Sequence, residues 1–224
     1  MIWVMSAVKK TTGSAPSRKR RAADTRRRIL DSALASFTEH GYSATTMEQV
    51  AAQAGVVVQT VYFAFRTKGE LLQAVYEHAV LGAEQTPPHL MPWWPRADDG
   101  YDIATSVGRL VDGTLQLLAR AAPLVWSVLG DESARERYEH NEQLRRFGYA
   151  ELVTALVKKQ PLRPDITPAK ARDVLLVLTG PQLFVQFTRE LGWSAAELSG
   201  WLTTAVLEQL FGLHQPATLP RHQP

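Results

Sequence analysis

Between residues 45 and 65 the chain reads TTMEQVAAQAGVVVQTVYFAF, and apolar side chains recur there at helical spacing twice in succession. Met47, Val50, Ala51 and Ala54 fall at i, i+3, i+4 and i+7, one stripe of a first short helix. Thr45 or Thr46 supplies the hydroxyl that caps its first-turn N–H groups. Gly55 follows the stripe, where a positive φ ends a helix with least strain. Val58, Val61, Tyr62 and Phe65 repeat the spacing in a second helix, leaving Gln59, Thr60, Phe63 and Ala64 on its other face. Two helices across a short turn containing Gly form a helix-turn-helix, whose second helix enters the DNA major groove, or an αα-hairpin of an ordinary helical protein.

The periodicity extends outward from this pair. A helix beginning near Asp24 or Thr25 carries Ile29, Leu30, Ala33, Leu34 and Phe37 inward and ends at Gly41. After Phe65, Arg66-Thr67-Lys68 forms a turn, with Thr67 as cap of a fourth helix that buries Leu71, Leu72, Val75, Tyr76 and Ala79 and runs to about residue 84. Residues 86–100 contain Pro87, Pro88, Pro92 and Pro95 and cannot be helical throughout. With Leu90, Met91, Trp93 and Trp94, this loop is expected to pack back onto the body; an exposed interaction patch is the alternative. Four further helical stretches follow: 101–121, with an apolar segment at 124–129 after Pro123; 131–159; 169–191, kinked at Pro181; and 194–213.

No strand pattern occurs, so the expected fold is all-α. A three-helix helix-turn-helix DNA-binding domain is expected over residues 24–68, a larger helical ligand-binding and dimerisation domain over 69–213, and a loose tail over 214–224.

Charge sharpens this picture through its distribution. The 224 residues carry a net charge of only +3, yet residues 1–28 hold nine basic side chains against Asp24 alone. The remainder has 16 basic and 21 acidic residues. Residues 1–23 thus form a basic arm, expected to be disordered without a partner, on an acidic body. That is a footprint for a polyanion, or else a solubilising tail. The chain has no cysteine, which excludes a disulfide framework and thiolate chemistry and fits a reducing cytoplasm. Its apolar runs fall far short of the ~20 residues of a membrane helix. The opening MIWVMSAVKK lacks both the leading charges and the h-region of a signal peptide. No membrane association and a cytoplasmic location are expected.

The run TRRRILDSALASFTEHGYSATTMEQVA, the turn AGVVVQTVYFAF and the helix opening RTKGELLQAV, within residues 24–76, together resemble the N-terminal domain of TetR-type transcriptional regulators. Residues 171–213 resemble, more loosely, the last two helices of that family. Two departures stand out. Val57 occupies the recognition-helix cap where the family often has Ser or Thr, and Val58 follows where it often has a basic or polar residue. The resemblance implies a dimeric repressor on double-stranded operator DNA, released by a small-molecule effector, with no cofactor. The competing reading is a helical small-molecule-binding protein whose helix-turn-helix no longer reads DNA; the missing Ser-type cap and the uncharged recognition helix support it.

Gln59 and Thr60 lie in the first turn of the recognition helix, where side chains reach base edges; Val57 and Val58 open that helix beside them. Gln pairs with adenine N6 and N7, and a Thr methyl meets a thymine methyl. Phe63, one turn on, either contacts a thymine methyl or sugar or packs against a neighbouring helix. Tyr62 is placed to donate to a phosphate, as its counterpart does in the resembled family, while its ring packs inside. Thr46 and Lys68 are further phosphate candidates, with Arg20 and Arg21 from the arm. The recognition helix has no Arg or Lys, so affinity leans on the arm and Lys68.

Catalytic chemistry finds no footing: there is no phosphate-cradling Gly loop, no nucleophile elbow and no metal-ligand His pair, so neither an enzyme nor a metal site is expected. Among the C-terminal aromatics, Trp126, Phe147, Phe184 and Phe187 would line a pocket for an apolar or aromatic ligand, or simply build a helical core. Broad apolar faces with Leu178 and Phe187 on one of the last two helices, and Leu198, Leu202 and Val206 on the other, would complete a four-helix bundle in a homodimer, or pack inward in a monomer.

Overall fold

The computed structural model describes residues 18–82, 85–129 and 131–214. Most of the expected arm, residues 1–17, and the tail from residue 215 lie outside them. Regular structure among the described residues is entirely helical. The N-terminal part consists of α1 (Arg18–His40), α2 (Met47–Ala54), α3 (Val58–Ala64) and α4 (Lys68–Leu81). A 3-10 turn at Pro88–Leu90 follows in the proline-rich loop, then α5 (Ile103–Val128) and α6 (Arg135–Lys159). The chain closes with α7 (Pro168–Leu178), α8 (Pro181–Val185) and α9 (Ala195–Val206), the last two each running on into a π turn, Gln186–Glu190 and Leu207–Phe211.

Helix α1 starts six residues before the expected Asp24, so Arg18 to Ala23 are helical and not part of a disordered arm. Arg, Lys and Ala are strong helix formers, and no Gly or Pro interrupts them after Pro16. Pro123 also departs from expectation: α5 runs through it without ending. An interior proline costs a helix about 3 kcal/mol. Beyond it, however, Leu124, Val125 and Val128 are all buried, and each full burial contributes roughly 1.5–3 kcal/mol, so packing outweighs the lost hydrogen bond.

Those residues explain the architecture. The N-terminal core gathers Ile29, Ala33 and Phe37 of α1, Val50 and Ala54 of α2, Val61 and Phe65 at α3, and Leu71 and Val75 of α4. Leu124 and Val128 from the end of α5 belong to the same core. The second core is built on the rest of α5, from Val107 to Leu118, with α6, α7, α8 and α9 around it. Helix α5 is therefore shared, and Phe65 and Leu71, on either side of Lys68, belong to one core.

Pro181 does not kink a long helix. The chain breaks at Thr179-Gly180, and Pro181 stands in the first turn of a new helix, where its missing N–H is no loss. Thr179 stabilises the break: its hydroxyl donates to the Leu175 carbonyl at 2.6 Å and meets the Tyr149 hydroxyl at 2.7 Å. Arg145, held by Glu142, adds a hydrogen bond to the Leu176 carbonyl at 3.0 Å. Together they satisfy two of the last carbonyls of α7.

The proline-rich loop packs back, as expected. Trp94 is buried edge-on to Tyr149. Asp99 ties the loop to α6 through Lys159. Burial pushes the Asp99 carboxyl up, but the Lys159 ammonium and the Arg96 and Tyr101 amides outweigh it and hold it down at about 2. A carboxyl depressed in the fold contributes stability that is present above its unfolded value of about 3.9 and is lost as pH falls towards 2. Near-UV circular dichroism of the tryptophans is expected to show the loop loosening across that window in the native chain and at neutral pH in Asp99→Asn. Identical acid profiles for the two proteins would exclude this role for Asp99.

Candidate nucleic-acid interface

Helix α2 is fixed at both ends by short-range chemistry. Thr46, not Thr45, is the cap: its hydroxyl accepts from the Gln49 amide at 3.2 Å, and the Gln49 side chain accepts from the Thr46 amide at 2.7 Å. This reciprocal capping box satisfies two otherwise orphaned donors. Thr45 is buried and donates instead to the Gly41 carbonyl at 2.9 Å. At the other end Gly55 takes φ 66°, a left-handed conformation that a β-carbon disfavours.

The turn delivers α3 with one face committed. Val61 and Phe65 are fully buried, and Val58 packs half-buried against the same core. Val57 caps α3 in extended conformation with no side-chain hydrogen bond. Gln59 is exposed, Thr60 half-buried and Tyr62 half-exposed. Phe63 is 93 % exposed, which removes the alternative that it packs against a neighbouring helix. Tyr62 keeps 45 % of its surface in solvent, so its ring is not an interior one. Arg20 and Arg21 are exposed in the first turns of α1.

Lys68 occupies the first position of α4 behind the Thr67 cap. Its ammonium donates to the Ser43 carbonyl at 3.1 Å and lies 4.4 Å above the Tyr42 ring. Burial lowers its pKa, and Asp131 acts in the opposite sense. Asp131 also accepts from the Ser43 hydroxyl, so the turn between α5 and α6 reaches beneath the loop that enters α2. Sequence reasoning missed two contributors. Arg26 reaches from α1 to the Ala64 carbonyl at 3.4 Å and stacks 4.3 Å over Phe65, placing a cation at the C-terminal end of α3. Ser43 joins Lys68 to Asp131. The absence of any basic residue within α3 was the one sequence signal that a cation would come from elsewhere.

The expected effector residues are not brought together. Trp126 and Phe147 are on the surface, 49 % and 71 % exposed, so neither lines an interior pocket. Phe184 is buried in the second core, and Phe187 meets Trp193 edge-to-face at 4.8 Å and stacks on Trp201 at 5.1 Å. An open groove of about 410 Å³ lies instead between α1, α5 and Arg189. A smaller cavity of about 40 Å³ lies between α4, α5 and the proline-rich loop. The expected dimer residues divide likewise. Leu198, Leu202 and Val206 are fully buried inside the monomer, whereas Leu178 and Phe187 are partly covered. Among the described residues no His, Asp or Glu group is arranged to hold a metal, and no helix is long and apolar enough to cross a membrane.

Residues 29–75 match the signature of "Bacterial regulatory proteins, tetR family". The chain is 48 % identical over 54 residues to the HTH-type transcriptional regulator SrpR of Pseudomonas putida, a match spanning 24 % of this chain and 25 % of SrpR. A longer match, 30 % identical over 155 residues, joins 69 % of this chain to 74 % of the HTH-type transcriptional repressor SCO4008 of Streptomyces coelicolor. Among solved structures, NalD of Pseudomonas aeruginosa, the secondary repressor of the MexAB-OprM multidrug efflux pump, superposes with a TM-score of 0.67 at 25 % identity over 85 % of this chain and 98 % of NalD. The capped α2, the left-handed turn, the outward face of α3 and a match that spans 69 % of the chain lead to one conclusion: the chain belongs to the TetR family of bacterial regulatory proteins.

Proposed function

We propose that the protein is a homodimeric transcriptional repressor that reads double-stranded operator DNA with α3 and leaves it when a small apolar or aromatic effector binds the larger helical body. The exposed pair Gln59 and Phe63, one turn apart on a helix whose other face is locked into the core, is the observation that supports this best. Burying a Phe ring stabilises a protein by about 1.5–3 kcal/mol, so a ring left in water suits a partner surface. In a major groove it meets thymine methyl groups, while Gln59 pairs with adenine and Thr60, Val57 and Val58 lie alongside. Tyr62, the α2 N-terminus behind Thr46, Lys68, Arg20 and Arg21 serve the phosphates.

A second copy follows from the geometry of operator reading, because one recognition helix spans too few bases for useful specificity. The apolar surface remaining on the last helices suits it: exposed Val177 and Leu191, and the half-buried cluster of Phe187, Trp193 and Trp201. Effector binding then shifts the spacing of the two α3 helices, by no more than the effector's differential affinity for the two states.

Gel shifts with duplex DNA from beside the protein's own gene test the reading. Gln59→Ala is expected to relax sequence preference by roughly 1–3 kcal/mol, whereas Lys68→Ala weakens all sequences alike. A uniform loss in both variants removes Gln59 from the base contacts. No shift with the native chain favours the second reading, a ligand-binding protein with a degenerate helix-turn-helix, which rests on the uncapped, cation-free α3.

A further inference from the structure

Trp93, in the proline-rich loop, lies directly on the backbone of α5 at Gly113. A β-carbon on Gly113 would fall 2.1 Å from Cδ2 and 2.3 Å from Cγ of that indole. Only a glycine admits the ring there. The loop is anchored on both sides of this contact: Trp94 is buried against Tyr149, Arg109 donates to the Pro92 carbonyl, and Asp99 pairs with Lys159. Trp93 itself remains partly exposed.

Beside the ring is the cavity of about 40 Å³, whose walls include Val80 of α4, Met91, Gly113, Gln116, Leu117 and Arg120. The cavity alone is too small for an organic molecule, but withdrawal of the indole from Gly113 would add the space of its two fused rings to it. Among the described lining residues Arg120 is the one that carries a charge, Gln116 adds an amide and Thr86 a hydroxyl. Arg120 also donates from Nε to the Ala79 carbonyl near the end of α4 at 3.2 Å, and the same side chain borders the larger groove against α1.

We propose that the seat of Trp93 on Gly113 is the effector site, held shut by the protein's own indole, and that it takes a planar aromatic molecule bearing a carboxylate or another strong acceptor. The ring of the ligand replaces the indole on Gly113, and its acceptor meets Arg120 and Gln116. The guanidinium among the described lining residues favours an anionic or acceptor-bearing aromatic over a cationic one. Binding draws on the guanidinium that holds the end of α4, a helix that carries Lys68 at its other end, and so links the slot to the DNA face. The inference rests on the effector-released repressor reading and locates its ligand.

Calorimetry with naphthalene-2-carboxylate as probe, on the full chain, tests the site. Because the indole competes for the slot, the native protein binds weakly, and Trp93→Ala is expected to bind at least tenfold more tightly. Gly113→Ala, which obstructs the seat for any ring, is expected to abolish binding, and 2-naphthylmethylammonium is not expected to bind. In the native chain the Trp93 indole N–H resonance, identified by its absence from Trp93→Phe, is expected to shift as probe is added; this readout does not require the alanine variant to fold. Equal affinity in native protein and Trp93→Ala, an unmoved Trp93 resonance at saturation, or no binding at millimolar probe would each overturn the proposal. Gel shifts run separately keep the two readings apart. Operator binding released by some other ligand, with Trp93 unmoved, sinks the site and spares the repressor; probe binding without any operator binding does the reverse.

Discussion

Leu202→Asp is expected to unfold the helical body, not to split a dimer into folded monomers. Leu202 is fully buried in the second core, together with Leu198 and Val206. Truncating such a leucine to alanine costs about 2–5 kcal/mol. An aspartate adds the several kcal/mol of an unpaired buried charge. Against a typical total stability of about 5–15 kcal/mol, that sum leaves little or no folded protein. Leu202→Ala is expected to lower the melting temperature by roughly 5–15 °C for a chain of this size. Trp201→Glu is the contrasting change, because Trp201 is only partly covered and stacks with Phe187. It is expected to retain the helical circular dichroism of the native chain while sedimenting as a monomer. A folded Leu202→Asp protein would refute its place in the core, and a Trp201→Glu dimer with unchanged stability would move the proposed interface elsewhere.

Binding to operator DNA is expected to fall about 10³–10⁵-fold between 50 and 200 mM salt if the dimer meets six to ten phosphates. Much of that dependence should come from the N-terminus. Deleting residues 1–23 removes Lys9, Lys10, Arg18, Lys19, Arg20 and Arg21, and the salt slope flattens by roughly 0.9 for every phosphate that is no longer neutralised. The helical start of α1 adds a distinction. Arg18 to Arg21 ride on a helix whose later turns are anchored in the core by Ile29 and Phe37, so their position relative to α3 is set by a rigid element. Deleting 1–17 leaves these four cations in place and is expected to change the slope less than deleting 1–23. Residues 18–23 are exposed, so neither truncation should shift thermal unfolding much. An unchanged slope after the longer deletion would show that this end of the chain does not touch DNA.

What could be read from the residues, and what could not, divides by range. Gly55, Thr67 and the i, i+3, i+4 stripes of α2 and α3 act within four or five residues, and they stand where the pattern puts them, while the cap of α2, open in sequence between Thr45 and Thr46, is Thr46. Pro123 and Pro181 depart from the local pattern because their effect is not local. Whether Pro123 interrupts α5, or Pro181 bends a helix or starts one, depends on what packs against the flanking turns, which no local rule contains. Trp126 and Phe147 are large and aromatic, yet they sit outside, because size and polarity do not say which face of a helix meets a neighbour.

By itself, then, the amino-acid order determined the all-helical class, the stripes of α2 and α3, the turn between them, the side of α3 left exposed and the concentration of positive charge at the N-terminus. These are matters of backbone geometry and local periodicity. Tertiary structure alone decided that α5 serves both cores, that Leu198, Leu202 and Val206 face the monomer's own interior, and that Trp93 rests on Gly113. A stripe records that a helical face must be covered; what covers it is settled only when all the faces compete for the same limited interior.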